Sequence, residues 1–292
     1  MSASLPTSSR RDAMLADAAG LAERHAALLG PAWRSELTGW IVAAALFALF
    51  CFGLWQLGFT FTMLTHGGSQ MLVILQVMLP PNPETWARVV FYLGQLAETL
   101  GIAFLGTLIA AIIAFPLGFL AARNVVSNLF IHVIARRVFD TVRAIDVLIW
   151  ALLWINVVGL GPFAGVLAIA CSDIGSFAKL FSEAIEASDR KAVEGVLSSG
   201  GTWTQAVRYG VLPQVLPVIT SQVLYYFESN TRSATIIGIV GAGGIGLSLS
   251  EMIRTVEWQQ VSFIVVLMLI TVSAIDYVST LLRRSIIGPS SI

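Results

Sequence analysis

Residues 40–57 run for eighteen positions without a charged side chain, and a chain carrying such a stretch must place it in an apolar surround. A helix of roughly 20 residues crosses the ~30 Å hydrocarbon core of a bilayer. Further apolar stretches follow at residues 89–122, 138–158, 163–181, 214–240 and 261–282. Hydrophobic residues make up 57% of the 292 and charged residues 12%, about half the charged share of a soluble domain. The bilayer is therefore the solvent for which these stretches are built. The expected fold is an all-α polytopic membrane protein with about six transmembrane helices.

The segment before the first span, residues 1–39, is polar and too long for the charged start of a signal peptide, so the first span is read as uncleaved. Arg10-Arg11 after Ser8-Ser9 looks like a twin-arginine signal, but Asp12 and Asp17 interrupt what should be its apolar core. Residues 12–29 suit either an interfacial amphipathic helix or a loosely ordered tail. Residues 89–122 exceed what a bilayer needs, so that helix tilts, protrudes or bends, Pro116 being the natural bend. Residues 71–79 form an apolar run closed by Pro80, Pro81 and Pro83, too short to span and expected to be an interfacial helix or loop. Gly159-Leu160-Gly161-Pro162 makes a tight turn between the third and fourth spans.

Net charge is zero, so the distribution of charge carries the information. With a cytoplasmic N-terminus, 14 of the 17 Lys and Arg fall on the inner side and only Arg88, Arg232 and Arg254 outside, a strong positive-inside bias. Six spans then leave both termini in the cytoplasm, together with a polar insert at residues 187–213. Cys51 and Cys171 both lie within apolar runs and read as packing residues.

In that insert Asp189 can cap a short helix reaching Leu197, and Gly200-Gly201 permits the backbone angles that end one. Thr202-Trp203-Thr204-Gln205 fits the capping-box pattern and opens another helix. Pro213 and Pro217 suit the first turns of the next span, a kink at Pro217 being the alternative. The insert therefore reads as a helix-turn-helix knob with Trp203 exposed.

Charges within spans are costly and face a partner or a watery cavity. Here they are Glu98, Asp140, Arg143, Asp146, Asp173, Glu228, Arg232 and Asp276. Glu228 and Arg232 stand four apart and can pair along one helix, as can Asp140 or Asp146 with Arg143 at three. Such pairs either neutralise each other or leave Arg232, with Asn230 and Ser233, to line an anion path or its outer gate, where Glu228 would release or position the anion.

Several chemistries have no support. A Walker A loop ends in Lys followed by Ser or Thr, whereas Lys179 precedes Leu180 and Lys191 precedes Ala192. Gly241-Ala242-Gly243-Gly244-Ile245-Gly246 satisfies G-x-G-x-x-G, but the dinucleotide fingerprint needs a soluble strand-turn-helix unit with an acidic residue about 20 positions on. Five glycines within residues 238–246 are better suited to close backbone packing or a bend at the outer end of the fifth span. His25, His66 and His132 are scattered, without metal-ligand spacing. There is no catalytic constellation, and nothing points to nucleic acid.

The insert resembles the cytoplasmic signature of the membrane subunits of binding-protein-dependent ABC importers. Glu194 stands at its Glu, Gly195 and Val196 replace its two alanines, Gly200 is its Gly, and Leu212-Pro213 closes it, while Gly210 sits where a hydrophobic residue is expected. The segments at residues 116–124, 159–168, 227–234 and 240–246 resemble the phosphonate-type permeases. The resemblance runs from about residue 85 to the C-terminus.

It implies a type I importer permease (MetI-like) fold in a bacterial inner membrane, with residues 1–39 cytoplasmic and residues 40–292 forming the permease domain. It further implies coupling through Glu194, Gly195, Gly200, Leu212 and Pro213 to cytoplasmic ABC ATPase subunits. A second permease copy and an extracytoplasmic phosphonate-binding protein complete the implied assembly. The chain would hold no cofactor itself, ATP and Mg²⁺ belonging to the ATPase. The path or gate would comprise Glu228, Asn230, Arg232, Ser233, Gly241, Gly243, Gly244 and Gly246, at the external mouth. The implied cargo is a phosphonate or related phosphorus oxyanion. The alternatives are an ABC permease for methionine or another small solute, a gradient-driven secondary transporter, for which no internal repeat is evident, and a membrane enzyme.

Overall fold

The computed structural model describes residues 32–126 and 128–287, and no strand occurs among them. The expected alternatives for residues 12–29 lie outside the described residues. The chain divides into two compact units, Met1–Leu72 and Val73–Ile292. In the first unit α1 (Ala32–Gln56) holds all but the last residue of the uncharged stretch, and from Leu37 onward nearly all its side chains are exposed, Trp40, Phe47 and Trp55 included. A helix apolar on every face suits lipid. The apolar run at residues 71–79 is the end of a longer helix than expected, α2 (Phe61–Met78), which crosses the unit boundary.

The second unit is built on α3 (Trp86–Ala121) and α6 (Pro162–Glu186), both among the helices long and apolar enough to span a membrane. At about 1.5 Å per residue the 36 residues of α3 run far past a ~30 Å core, and the helix continues through Pro116 to Ala121. Its buried face is a stripe of small residues: Ala103, Gly106, Thr107, Ala110, Ala114 and Gly118. Ala164, Gly165, Ala168 and Ala178 supply the matching stripe on α6. A Cβ on Gly106 would sit 2.7 Å from Ile169 Cβ, and one on Gly118 would sit 2.8 Å from Phe181 Cβ. Small residues let two helices approach closely in lipid, where van der Waals contact rather than water exclusion drives association.

Between α3 and α6 the expected third span at residues 138–158 is broken rather than one continuous helix. Two helices stand there, α4 (Leu129–Arg143) and α5 (Val147–Val158), bent by 82°. The break has a local cause. Asp146 caps α5, its side chain accepting from Leu148 N–H at 2.8 Å, and residues 136–143 of α4 carry Arg136, Arg137, Asp140 and Arg143. Asp146 is thus a cap, not a partner of Arg143. Twelve residues of α5 reach only about 18 Å, too short to cross alone.

The predicted tight turn at residues 159–162 joins α5 to α6, with Pro162 opening the helix. Two short helices, α7 (Arg190–Ser198) and α8 (Trp203–Ala206), then lead through a π-helical turn (Val207–Val211) into α9 (Leu212–Ile239), with Pro213 in its first turn and Pro217 inside it. The chain closes with α10 (Ile245–Arg254) and α11 (Trp258–Ile287).

Four described helices are long and apolar enough to span, or five if the bent α4–α5 pair counts as one crossing. The fifth expected span, at residues 214–240, corresponds to α9, whose 28 residues suffice in length but carry a polar middle from Glu228 to Ser233.

That polar middle is satisfied across helices rather than along one. Glu228 accepts from Arg283 of α11 at 2.7 Å, the side chains 12% and 27% exposed, and Arg232 faces Asp276 of α11 at 4.0 Å. The expected Glu228–Arg232 pair is therefore replaced by two interhelical pairs, which run in opposite order along α9 and α11 and so mark the helices as antiparallel. Asp140 likewise pairs with Lys179 of α6 at 2.8 Å instead of with Arg143.

Two stability outcomes follow. Glu228→Arg alone sets two cations face to face and should cost up to about 3 kcal/mol, while adding Arg283→Glu should recover most of it, both read as thermal unfolding in detergent. Gly246→Ala should destabilise by about 1–3 kcal/mol in the same assay. Its Cβ would collide with the Thr235 carbonyl and lie 2.9 Å from Gly238 Cα, where α9 and α10 cross backbone to backbone.

Candidate functional site

The sequence motifs converge on two places, the knob at residues 187–213 and the polar stretch where α9 meets the glycine-rich loop.

The knob forms as its residues predict. Asp189 caps α7 by accepting from Lys191 N–H at 2.9 Å, and Gly200 takes φ +87°, a left-handed conformation that ends the helix at little cost for glycine. Thr202 and Gln205 make the reciprocal capping box of α8. Glu194 and Gly195 lie exposed on α7, Leu212 is half-buried and Pro213 exposed at the start of α9. Trp203 is 46% exposed. All five predicted coupling residues thus sit on one small helical knob.

Gly210 departs from the importer signature for a steric reason. A Cβ there would stand 3.1 Å from both the Cα and the backbone N of Val193, so the π-helical turn lies directly on the backbone of α7. Gln214 was missed by sequence reasoning. Its side chain accepts from Asp189 N–H at 2.9 Å and donates to the carbonyls of Gly210 (2.6 Å) and Asp189 (3.3 Å), stapling the first residue of the knob to its last. No local motif announces a contact 25 residues long.

The knob also abuts the turn at residues 122–126 that follows α3. The Arg123 backbone N–H donates to Glu186 Oε1 at 2.9 Å, and Arg136 of α4 donates to Glu186 Oε2 at 2.9 Å. Asn124 Nδ2 donates to the Ile185 carbonyl at 2.7 Å. Buried His132, one of the three scattered histidines, accepts from Arg123 Nε at 2.9 Å through Nε2 and lies 2.6 Å from the Ala121 carbonyl through Nδ1. This ring is therefore a structural tie between α3 and α4.

The second place is less uniform than expected. Arg232 is exposed beyond half of its side chain and only loosely faced by Asp276, whereas Glu228 is engaged by Arg283. Ser233 is half-buried, its hydroxyl turned back toward the Ser229 carbonyl at 3.4 Å. Asn230 is turned into the bundle, 6% exposed, donating to Asp173 Oδ2 of α6 at 2.5 Å and to Thr107 Oγ1 of α3 at 2.8 Å. It ties three helices together.

Gly241, Gly243, Gly244 and Gly246 are all buried where α9 turns into α10. The Gly244 and Ile245 N–H groups at the start of α10 donate to Glu98 Oε1 (2.9 Å) and Thr99 Oγ1 (2.8 Å) of α3. Glu98 and Thr99 thus supply from another helix the cap that the glycines cannot. The Gly161 N–H donates to the Gly241 carbonyl at 3.0 Å, joining the same loop to the α5–α6 turn.

With this geometry in view, residues 114–287 match the family described as binding-protein-dependent transport system inner membrane component. HtxC of Stutzerimonas stutzeri, named for a phosphite transport system, is 39% identical over 65% of this chain and 67% of its own length. PtxC of the same organism, named as a phosphite transport system permease protein, is 32% identical over 82% of this chain and 87% of its own. PhnE of Mycolicibacterium smegmatis, named as a phosphate-import permease protein, is 36% identical over 81% of this chain but only 44% of its own. Among solved structures, the inward-facing MetNI methionine ABC transporter has a chain that superposes with a TM-score of 0.62 at 19% identity, covering 70% of this chain and 100% of that one, a likeness of fold. From the signature knob to the last helix, this chain belongs to the inner membrane components of binding-protein-dependent transport systems, as a multi-pass membrane protein and transport subunit.

Proposed function

We propose that this chain is the permease subunit of an ATP-driven importer of phosphorus oxyanions, such as phosphonates, phosphite or phosphate. It works as a homodimer with two cytoplasmic ABC ATPase subunits and an extracytoplasmic phosphonate-binding protein, and both of its termini are cytoplasmic. The observation that carries the reading is the knob: a stapled pair of short helices that presents Glu194 outward, at its place in the importer signature, and leaves Trp203 exposed. The names of the relatives above support the cargo class.

In this reading the ATPase grips the knob, and Gln214 and the Gly210 contact transmit its movement into α9 as a nearly rigid body. Closure and opening of the ATPase pair then rock α9 and the helices packed on it. Arg232 is the cation we assign to the anion path, because an exposed guanidinium with only a loose partner can exchange it for a passing oxyanion, and Arg matches tetrahedral oxyanions by a forked pair of donors. Glu228, Asn230 and the glycines hold the frame around it. ATP and Mg²⁺ are bound by the partner and supply the driving force.

The test is ATPase activity of the chain reconstituted with its ATPase and binding protein, with 2-aminoethylphosphonate, phosphite or methionine as cargo. Stimulation by a phosphorus oxyanion that requires the binding protein supports the reading, and stimulation by methionine alone overturns the cargo. Glu194→Lys should lower stimulated activity about tenfold or more, the equivalent of ~1.4 kcal/mol of docking energy, without changing thermal stability. Arg232→Glu should abolish oxyanion uptake in proteoliposomes while leaving ATPase association intact. Unchanged uptake by that variant would remove Arg232 from the path.

A further inference from the structure

The packing of α9 leaves one of its faces open. Val215, Ile219, Asn230, Thr231 and Ala234 are buried in the bundle. The opposite side, at residues 218, 222, 225, 229, 232 and 236, recurs at steps of three or four and points away from the bundle. The middle of this face is polar, comprising Gln222, Tyr225, Ser229 and Arg232, and Val218 and Ile236 close it with apolar side chains at either end. Tyr225 is 51% exposed and the Arg232 side chain 52%, while Gln222 and Ser229 are half-buried. Neither the Tyr225 nor the Ser229 hydroxyl has a hydrogen-bond partner among the described residues.

A span that turned these four side chains to hydrocarbon would strip each of its hydrogen bonds to water, so the face meets water or a partner. Its chemistry favours an anion. Arg232 brings a guanidinium, and both hydroxyls can donate. Of the neighbouring carboxylates, Glu228 is only 12% exposed and held by Arg283, and Asp276 stands 4.0 Å from Arg232. Arg283 also lies over the Tyr225 ring, 5.8 Å from its centroid, which fixes where that hydroxyl is presented. Arg232 and Tyr225 are two helical turns apart, ~10.5 Å, with Ser229 between them, so each step is about 5 Å and one oxyanion can touch two neighbours of the stripe at once.

We infer that this face is a wall of the oxyanion path, and that Ser229 and Tyr225 continue the path from Arg232 toward the knob as a ladder of hydroxyl donors. The cargo displaces Asp276 from Arg232, passes to the Ser229 hydroxyl and then to that of Tyr225. The two hydroxyls favour phosphorus oxyanions, because they donate to oxygens that carry charge and offer no cavity to an apolar side chain. The inference deepens the importer reading and rests on it.

The experiment uses the full complex in proteoliposomes with phosphite as cargo and measures cargo imported per ATP hydrolysed. Tyr225→Phe and Ser229→Ala should each lower that ratio about tenfold, the size of one lost hydrogen bond to a charged group, while the loaded binding protein still stimulates the ATPase. Transport and ATPase activity falling together mark a structural defect and overturn the ladder. An unchanged ratio in both variants, with uptake lost in Arg232→Glu, overturns the ladder and leaves the importer reading standing. Failure of both phosphite and 2-aminoethylphosphonate to stimulate the wild-type complex overturns that reading itself. A second measurement is independent of transport. In the same complex carrying Cys51→Ser and Cys171→Ser, Ser229→Cys is treated with an anionic and a cationic methanethiosulfonate, beside Leu269→Cys as a reference on α11 that is 63% exposed on an apolar stretch. These reagents attack the thiolate, which forms where water reaches the sulfur. The Ser229→Cys thiol should react about tenfold faster or more than the Leu269→Cys thiol. Relative to free cysteine it should favour the anionic reagent about threefold or more, through the field of Arg232. Equally slow reaction at both positions means that lipid or a second copy covers the face and overturns the ladder, and so does the lack of a preference for the anionic reagent.

Discussion

The close approach of α3 and α6 is the constraint on which the other placements rest. In lipid an apolar side chain gains nothing from leaving water, so two helices hold together by the number of atoms they bring into van der Waals range. The stripe from Ala103 to Gly118 brings the two backbones near enough for Gly106 and Gly118 to have no room for a Cβ. From that seam α3 reaches outward at both ends. Near one end Glu98 and Thr99 cap α10, and after the other the Arg123–Asn124 turn meets the close of α6. The glycine-rich loop and the close of α6 that leads into the knob are thus attached to one 36-residue rod.

The charged and amide groups within the bundle follow a second rule, that a polar group away from water finds a partner wherever one is within reach. Reading along a helix suggests the residue four positions away, and Glu228 with Arg232 satisfied that spacing. The folded chain offered each a partner on α11 instead, Arg283 for Glu228 and Asp276 for Arg232. Cross-helix pairing does more structural work than a pair on one helix, because it sets the register of α9 against α11. It also leaves Arg232 the less engaged of the two α9 charges. The Asn230–Asp173–Thr107 cluster acts in the same way at the centre of the bundle.

The knob was legible in detail, because caps and turns are written in a few neighbouring residues: Asp189 before α7, Gly200 after it, and Thr202 with Gln205 at α8. The break in the third span was missed for a related reason. Hydropathy averaged over residues 138–158 conceals a break whose signal is a single N-cap, Asp146, and the 82° bend depends on what α4 and α5 each pack against.

By itself the sequence determined the membrane setting, the all-helical class, the family and the caps of the knob, all of which depend on composition or on residues within a few positions of one another. Tertiary structure alone decided the partners of Glu228, Arg232 and Asp140, the inward turn of Asn230 and the Gln214 staple. Each of these joins residues from 25 to well over 100 positions apart. Such contacts are chosen by the packing of whole helices, and no local spacing encodes which side chain will be opposite when two helices meet.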